Sequence, residues 1–227
     1  MTEKVVLTKN KYAPLNYLEL VKKTEGEAET SPKIYLIPSD YDLANRVLST
    51  IKKEIIAIAP GGGNNAWMVM TCKRWSPLCF QRLIENLSIN YAIVLLGGKE
   101  DVDISQVMLE KLFNHSIVDI IGKTTIRQAA AVLNKCKLFI GNDSALLHIA
   151  AAVDIPTISI FGPTDPAIFA PRGAKHYMIK SKLPCSPCFH YKTLPECKSI
   201  ACMESIKPEE VIEHAKKLLS SLTIQVQ

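Results

Sequence analysis

Residues 138–148 read LFIGNDSALLH and residues 157–166 read TISIFGPTDP, and the fold can be inferred from these two stretches. Each begins with an apolar run of strand length, and the apolar segment between them has helical length, with Ser144 at the cap position. The pattern therefore predicts a strand, helix and strand unit. Its polar residues fall where the first strand ends and the helix begins, which is where parallel sheets bind phosphorylated ligands. The motif points to anion or nucleotide binding.

The rest of the chain repeats this alternation of strand-length apolar runs with segments of helical periodicity. It predicts an α/β fold, a Rossmann-like, doubly wound and mostly parallel sheet. Residues 1–52, with polar turns and one clear strand, are expected to be a lead-in or linker, and residues 53–227 a domain. Predicted strands are 33–37, 55–59, 92–96, 117–121, 138–140, 157–161 and 177–179, and predicted helices are 43–52, 77–88, 103–114, 125–136, 145–153 and 208–222.

Composition describes an ordinary globular chain. It has 227 residues and a 48% hydrophobic content, which suffice for a buried core, and its net charge is +5. Its basic residues are spread out and not interleaved with aromatics, so nucleic acid is not an expected partner. No apolar run approaches the roughly 18 residues of a membrane span, and residues 1–10 lack the apolar core of a secretory signal. We therefore expect a cytoplasmic protein, whose partner carries phosphates or is an anionic membrane surface.

Glycines 61–63 directly follow a predicted strand, so their backbone amides can approach a phosphate closely. Lys73 and Arg74 supply mobile positive charge just before the next helix. The alternative is an ordinary flexible crossover loop, because neither the dinucleotide fingerprint nor the Walker spacing is present. Glu100 follows the next strand, where an acid can accept hydrogen bonds from ribose hydroxyls. Its alternative is an acidic turn that starts a helix.

The motif at residues 143–148 also has structural alternatives. Ser144 is a suitable helix cap, and Asp143 would then only orient it. His148 lies one turn into the predicted helix, on a mostly apolar stretch, where a histidine is more often buried than catalytic.

The seven cysteines fall into two groups. Cys72, Cys79 and Cys136 lie in apolar or helical contexts, and we expect them to be reduced core thiols. The other four lie in the proline-rich segment 181–206, an expected irregular loop, with a spacing that can hold a structural zinc. This spacing lacks the repeated Cys-x2-Cys of a zinc ribbon, so packed thiols or a disulfide are alternatives. The four are Cys185, Cys188, Cys197 and Cys202.

Together and in this order, the motifs resemble those of the family-nine glycosyltransferases, the heptosyltransferases that build the inner core of bacterial lipopolysaccharide. The resemblance covers about residues 35–220. The matching stretches are APGGG at 59–63, KRWSP at 73–77, GGKE at 97–100, GNDS with His148, FGPTDP at 161–166, and the cysteine-rich tail through residue 203.

The resemblance implies a GT-B enzyme, in which two Rossmann-like domains face each other across a cleft and no metal takes part in catalysis. This chain would be the C-terminal domain, which holds an ADP-sugar donor such as ADP-heptose. Lys73 would then contact the donor pyrophosphate, and Glu100 the adenosine ribose. Lys73 and Asp143 would have the catalytic roles of positioning the donor and the leaving group. The implied donor-binding residues are Gly61, Gly62, Lys73, Glu100, Asp143, Ser144, Ala145 and His148.

The sequence departs from the family pattern in two places. We expect the N-terminal acceptor domain, which carries the general base in the family, to be largely absent, and residues 1–52 to be its remnant. The acceptor, a lipopolysaccharide core or lipid A precursor, would then be held by a separate acceptor-domain polypeptide. The family's Asp-Thr-Gly or Asp-Ser-Gly reads Asp143-Ser144-Ala145 here, which adds a methyl group where backbone would approach the phosphates.

Three functions remain open from the sequence. The first is a heptosyltransferase that works with an acceptor-domain partner, peripheral at the inner face of the inner membrane. The second is a nucleotide-sugar-binding module without turnover. The third is an interaction domain stabilised by zinc, with a vestigial pocket.

Overall fold

The computed structural model describes residues 8, 11–22, 32–63, 69–110, 112, 116–189, 197 and 199–224. Within them, six strands form one sheet in which every pairing is parallel. In chain order the strands are β1 (Ile55–Ala59), β2 (Ala92–Leu95), β3 (Ile117–Asp119), β4 (Leu138–Asn142), β5 (Thr157–Phe161) and β6 (His176–Lys180). Their order across the sheet is β3-β2-β1-β4-β5-β6, so the strand order reverses between β1 and β4. The predicted Rossmann-like α/β class is confirmed.

Helices connect these strands and precede and follow them. Those of the described residues are α1 (Ala13–Lys22), α2 (Tyr41–Leu48), α3 (Pro77–Leu87), α4 (Val102–Leu109), α5 (Ile126–Leu133), α6 (Ala145–Ala152), α7 (Pro166–Phe169), α8 (Ala201–Glu204) and α9 (Pro208–Ile224). Short 3-10 helices span Pro38–Asp40, Thr71–Lys73 and Lys99–Asp101.

The sheet separates two hydrophobic cores, because alternate strand residues point to opposite faces. In β1, Ile56 and Ile58 pack in the core that α3 and α9 cover. Ala57 and Ala59 pack in the core that α2, α5 and α6 cover. The central strands β1, β2 and β4 are buried on both faces and mainly apolar, and their polar residues are found where the strands end. The polar groups at the carboxyl edge of the sheet therefore lie in the loops that follow the strands.

Residues 33–37 were predicted to form a strand, and this prediction is wrong. Ile34 and Leu36 do pack against the second core, while Tyr35 and Ile37 are exposed, so the alternation is real. The segment lies beside α6 instead of a strand, and Ile34 N–H donates to the Ala152 carbonyl at 3.2 Å. A pattern of alternating burial shows that a segment has one buried and one exposed face. It does not show that its backbone pairs with another strand.

Other differences concern boundaries. Helix α1 was not predicted, α2 begins and ends earlier than 43–52, and α4 ends at Leu109 instead of 114. Residues 111, 113 and 114 of that prediction lie outside the described residues. The loop 181–206 contains α8, and its residues 190–196 and 198 are also outside. Among the helices described here, none combines the length and apolar character needed to cross a membrane.

Candidate functional site

The loops after β1, β2 and β4 enclose a cavity of about 270 Å³ at the carboxyl edge of the sheet, here called the donor cavity. Its apolar lining, here called the floor, includes the buried Leu96, the half-buried Ile149 and the exposed Ile126. Five residues that the resemblance implied for donor binding line it: Gly61, Gly62, Glu100, Ser144 and Ala145. Polar loop residues and an apolar floor therefore share one concave site, as is common in ligand-binding sites.

Lys73 and Asp143 form an ion pair beside this cavity. Lys73 Nζ lies 3.0 Å from Asp143 Oδ2, and the two side chains are 17% and 7% exposed. Asp143 directly follows β4, and the same oxygen accepts a hydrogen bond from Thr164 Oγ1 at 2.8 Å. The carboxylate thus fixes the direction of the lysine, and Thr164 fixes the carboxylate. Thr164 belongs to the FGPTDP motif, but nothing in that motif's sequence indicated this contact.

Ser144 occupies the N-cap position of α6, but its side chain makes no capping hydrogen bond. Its Oγ is buried and has no hydrogen-bond partner among the described residues. Gly62, with φ +104°, approaches it so closely that a Cβ there would lie 2.7 Å from the Ser144 Cβ. A buried hydroxyl without a partner is costly, so a rotation of this side chain that turns Oγ towards the donor cavity would let it donate to a ligand.

Glu100 lies exposed in the 3-10 helix Lys99–Asp101, at the rim of the donor cavity. Its carboxylate lies over Gly98, where a Cβ would be 2.4 Å from Glu100 Oε1. It makes no hydrogen bond or ion pair with any other residue in the described part of the chain. The carboxylate is therefore free to accept hydrogen bonds from a ligand hydroxyl.

His148 does not line the donor cavity. It lies between Asp143 and a second cavity of about 580 Å³, whose wall includes Tyr12 and Arg172. Burial lowers the pKa of His148, Asp143 raises it and Lys73 lowers it. The imidazole is therefore predominantly neutral at pH 7, and its link to the ion pair is electrostatic. The structure thus places His148 near Lys73 and Asp143 but not among the five implied residues that line the donor cavity.

Asn142 braces the turn after β1, a role that the sequence analysis missed. Its Nδ2 donates to the carbonyls of Pro60 at 2.8 Å and Gly61 at 3.1 Å. Its Oδ1 accepts from the Trp75 N–H at 3.0 Å. A buried amide at the end of a buried strand is the available signal, because such a group must find partners in neighbouring loops.

Arg74, expected as mobile charge, is instead held in place. Its Nε donates to the Gly62 carbonyl at 2.7 Å, and its Nη2 to Asp101 Oδ1 at 3.0 Å. Asp101, which sequence analysis left without a role, is buried. A carboxylate in the turn after two glycines was the only sequence signal for it.

All seven cysteines are free thiols. Burial raises the pKa of Cys136 to about 12, as expected for an unreactive core thiol, whereas Cys72 and Cys79 are only half-buried. Burial also raises the pKa of Cys188, as do the neighbouring thiols of Cys197 and Cys185. No three His, Cys, Asp or Glu side chains of the described residues are arranged to hold a metal ion.

A doubly wound parallel sheet with glycine turns and a Lys–Asp pair at its carboxyl edge defines a Rossmann-like domain of the nucleotide-binding type. The sequence profile of Glycosyltransferase family 9 (heptosyltransferase) matches residues 8–198. The chain belongs to this family.

Individual relatives agree with this assignment. The chain is 30% identical over 223 residues to lipooligosaccharide heptosyltransferase 2 of Campylobacter jejuni. This alignment covers 94% of this chain and 67% of the relative. The fold is similar to that of a family 9 glycosyltransferase from Veillonella parvula, with a TM-score of 0.78, 23% identity, and coverage of 97% of this chain and 64% of that one. It is also similar to ADP-heptose lipopolysaccharide heptosyltransferase II of Escherichia coli, with a TM-score of 0.68, 23% identity, and coverage of 85% and 54%. The chain thus spans about half to two thirds of these proteins.

Proposed function

We propose that this chain binds an ADP-sugar donor, ADP-heptose, and takes part in transferring its heptose to a lipopolysaccharide inner-core acceptor. Membership in the family and the name of the E. coli neighbour support the donor class. The observation that carries the proposal is the buried, unpartnered hydroxyl of Ser144, which lines the donor cavity at the amino end of α6.

The diphosphate is placed against Ser144, Ala145 and Lys73. The amino end of a helix carries unpaired N–H groups and a partial positive charge, both of which favour an anion. The Ser144 hydroxyl adds a neutral donor, and the Lys73 ammonium a charged one. Ala145 is exposed in the first turn of α6 and is not among the residues with positive φ, so the backbone there does not require glycine. Its methyl group is compatible with this placement.

The nucleoside is placed in the rest of the donor cavity. Glu100 has a free carboxylate at the rim, and the two hydroxyls of a ribose are suitable donors for it. The base then lies over the apolar floor near Ile126 and Ile149. In this placement the charged groups lie against the diphosphate, Glu100 lies against the ribose, and the apolar residues lie against the base.

The transfer chemistry fits the same residues. As the sugar leaves, positive charge develops at the anomeric carbon and negative charge on the departing diphosphate. Lys73 and the amino end of α6 stabilise the leaving group, while Asp143 holds Lys73 in place. The acceptor hydroxyl must also lose its proton to a positioned base. We propose that this base and the acceptor site come from outside the described residues, on an acceptor-domain polypeptide at the inner membrane surface.

Calorimetric titration with ADP, UDP and GDP tests the proposal. We expect selective ADP binding, weakened about tenfold or more in Asp143→Asn because Lys73 loses its charged partner. Asp103→Asn, an exposed acid on α4, is the matched control and should bind like the wild type. No binding of any nucleotide would contradict the proposal. ADP binding without sugar transfer, even with an acceptor domain supplied, would instead identify a binding module.

We also propose, from the spacing in the sequence, that Cys185, Cys188, Cys197 and Cys202 hold one structural zinc. These four thiols would have to move together to do so, because no three of them, all among the described residues, are arranged for a metal ion in the structure. Four protein ligands leave no open coordination position, so the metal would stabilise the loop and not take part in catalysis. Metal analysis of the natively purified protein should find one zinc per chain, lost with the loop's stability on chelation. A metal-free native protein would contradict this.

A further inference from the structure

One buried carboxylate joins the two glycine turns at the donor edge. Asp101 Oδ1 accepts a hydrogen bond from the Gly62 N–H at 3.1 Å, and Oδ2 accepts one from the Gly98 N–H at 3.0 Å. Gly62 lies in the turn after β1 and Gly98 in the turn after β2, and both line the donor cavity. A single side chain thus fixes the distance between two turns that shape the cavity.

Arg74 compensates the charge of this carboxylate. Its Nη2 lies 3.0 Å from Asp101 Oδ1, and the Arg74 and Asp101 side chains are 19% and 4% exposed. The Arg74 Nε also donates to the Gly62 carbonyl, so Gly62 is held through both its N–H and its C=O. A carboxylate this deeply buried is stable only when it is paired and hydrogen-bonded, and all these conditions are met here.

The glycine at position 61 makes room for the same carboxylate. A Cβ on Gly61 would lie 2.0 Å from Asp101 Cγ, and one on Gly97 would lie 3.1 Å from Asp101 Cβ. Glycine turns of this kind commonly bind a ligand's phosphate through their amides. Here the amide of Gly62 is already bonded to the chain's own anion. The turn therefore has a different use from the phosphate contact that its sequence suggests.

We propose that Asp101 and Arg74 are positioning residues, with Asp101 serving as an internal anion that holds the two glycine turns in the shape that binds nucleotide. The diphosphate is then bound elsewhere, by Ser144 and Lys73. This inference deepens the proposed function and rests on it.

The first test uses Asp101→Ala and added formate, with no nucleotide present. Amide hydrogen exchange at Gly62 and Gly98, followed by NMR, should speed up about tenfold or more when their acceptor is removed. Formate should slow it again, because a small carboxylate can occupy the vacated space, whereas chloride at equal ionic strength should not. Asp103→Ala is the matched exposed control, and urea unfolding shows whether each variant is folded. Asp101→Asn, of the same shape, replaces Asp101→Ala if the latter does not fold, and should speed up at least one of the two amides, because its side chain keeps one acceptor oxygen and puts an NH2 donor in place of the other.

The second test measures ADP affinity in the same proteins. We expect Kd to rise about tenfold or more in Asp101→Ala and to fall again with formate. Loss of fold alone would not be reversed by a small anion. Unchanged exchange at both glycines, or altered exchange with unchanged Kd, would overturn the inference while leaving the proposed function intact. Failure of the wild type to bind ADP would contradict the proposed function and, with it, the nucleotide role of this pair.

Discussion

The donor cavity and the second cavity beside α1 differ in how their polar groups are held. The second is about twice as large, at about 580 Å³ against 270 Å³. Its cations are nevertheless exposed: Arg172 stacks over the Tyr12 ring, and Lys175 pairs with Asp154, whose side chain is 80% exposed. Beside the donor cavity, Asp143 is buried and is bonded to both Lys73 and Thr164. Buried polar groups that converge, and not volume, distinguish the cavity that we propose binds the donor.

The largest expected contrast between the two regions is in stability. Asn142→Ala would leave the Trp75 N–H and two loop carbonyls buried without partners, so we expect the free energy of unfolding to fall by about 3 kcal/mol. Lys175→Ala, beside the second cavity, removes one exposed ion pair and should change it by less than about 0.5 kcal/mol. Urea unfolding measures both. Equal losses would remove the distinction between the regions.

ADP affinity should separate the two cavities next. Lys73→Ala removes the charged donor to the diphosphate, and Kd should rise about tenfold to a hundredfold. Arg172→Ala removes the corresponding cation of the second cavity and should change Kd by less than about twofold. Calorimetric titration compares them. A larger effect from Arg172 than from Lys73 would place the nucleotide in the second cavity.

Ser144→Ala sharpens the comparison because its two effects should have opposite signs. Removing a buried hydroxyl that has no partner should leave stability unchanged or raise it by up to about 1 kcal/mol. ADP should bind about fivefold more weakly, since the ligand loses one hydrogen bond. Thermal unfolding and titration of the same sample give both values. A clear loss of stability would show that the hydroxyl has an internal partner.

The smallest expected effect is the pH dependence of His148. Burial lowers its folded pKa below the unfolded value of 6.5, so the unfolded chain binds the proton more readily. Stability is therefore lost as pH falls below about 6.5 towards the folded pKa. His148→Gln should lose less stability than the wild type between pH 7 and pH 5, by about 1 kcal/mol or less. Burial lowers the pKa of His176 too, so part of the slope should remain. Identical slopes in urea unfolding would contradict this.

The sequence predicted the central strands well, because β1, β2 and β4 are runs of mainly apolar residues buried on both faces. It could not predict that residues 33–37 would lie beside α6, since burial pattern does not specify a backbone partner. The hydrogen bonds by which Asn142 and Asp101 hold distant turns could not be predicted for a related reason. Asn142 reaches Pro60 across 82 positions and Asp101 reaches Gly62 across 39, so their roles exist only once the strands are side by side.

The sequence predicted those residues of the candidate site that lie just after the ends of strands. Gly61, Glu100 and Ser144 converge because carboxyl ends of parallel strands share one edge. His148 was included with them because the family resemblance implied it, although one turn of α6 directs it towards the second cavity. Helical position, and not sequence distance, decides which cavity a side chain reaches.

A crystal structure of the chain with ADP would test the central claim most directly. We predict that ADP lies in the donor cavity, with its diphosphate against Ser144 and Lys73 and its ribose hydroxyls on Glu100. The Asp101 hydrogen bonds to the two glycine turns should be unchanged. ADP bound in the second cavity beside Arg172, or an empty donor cavity at a saturating ADP concentration, would contradict the account.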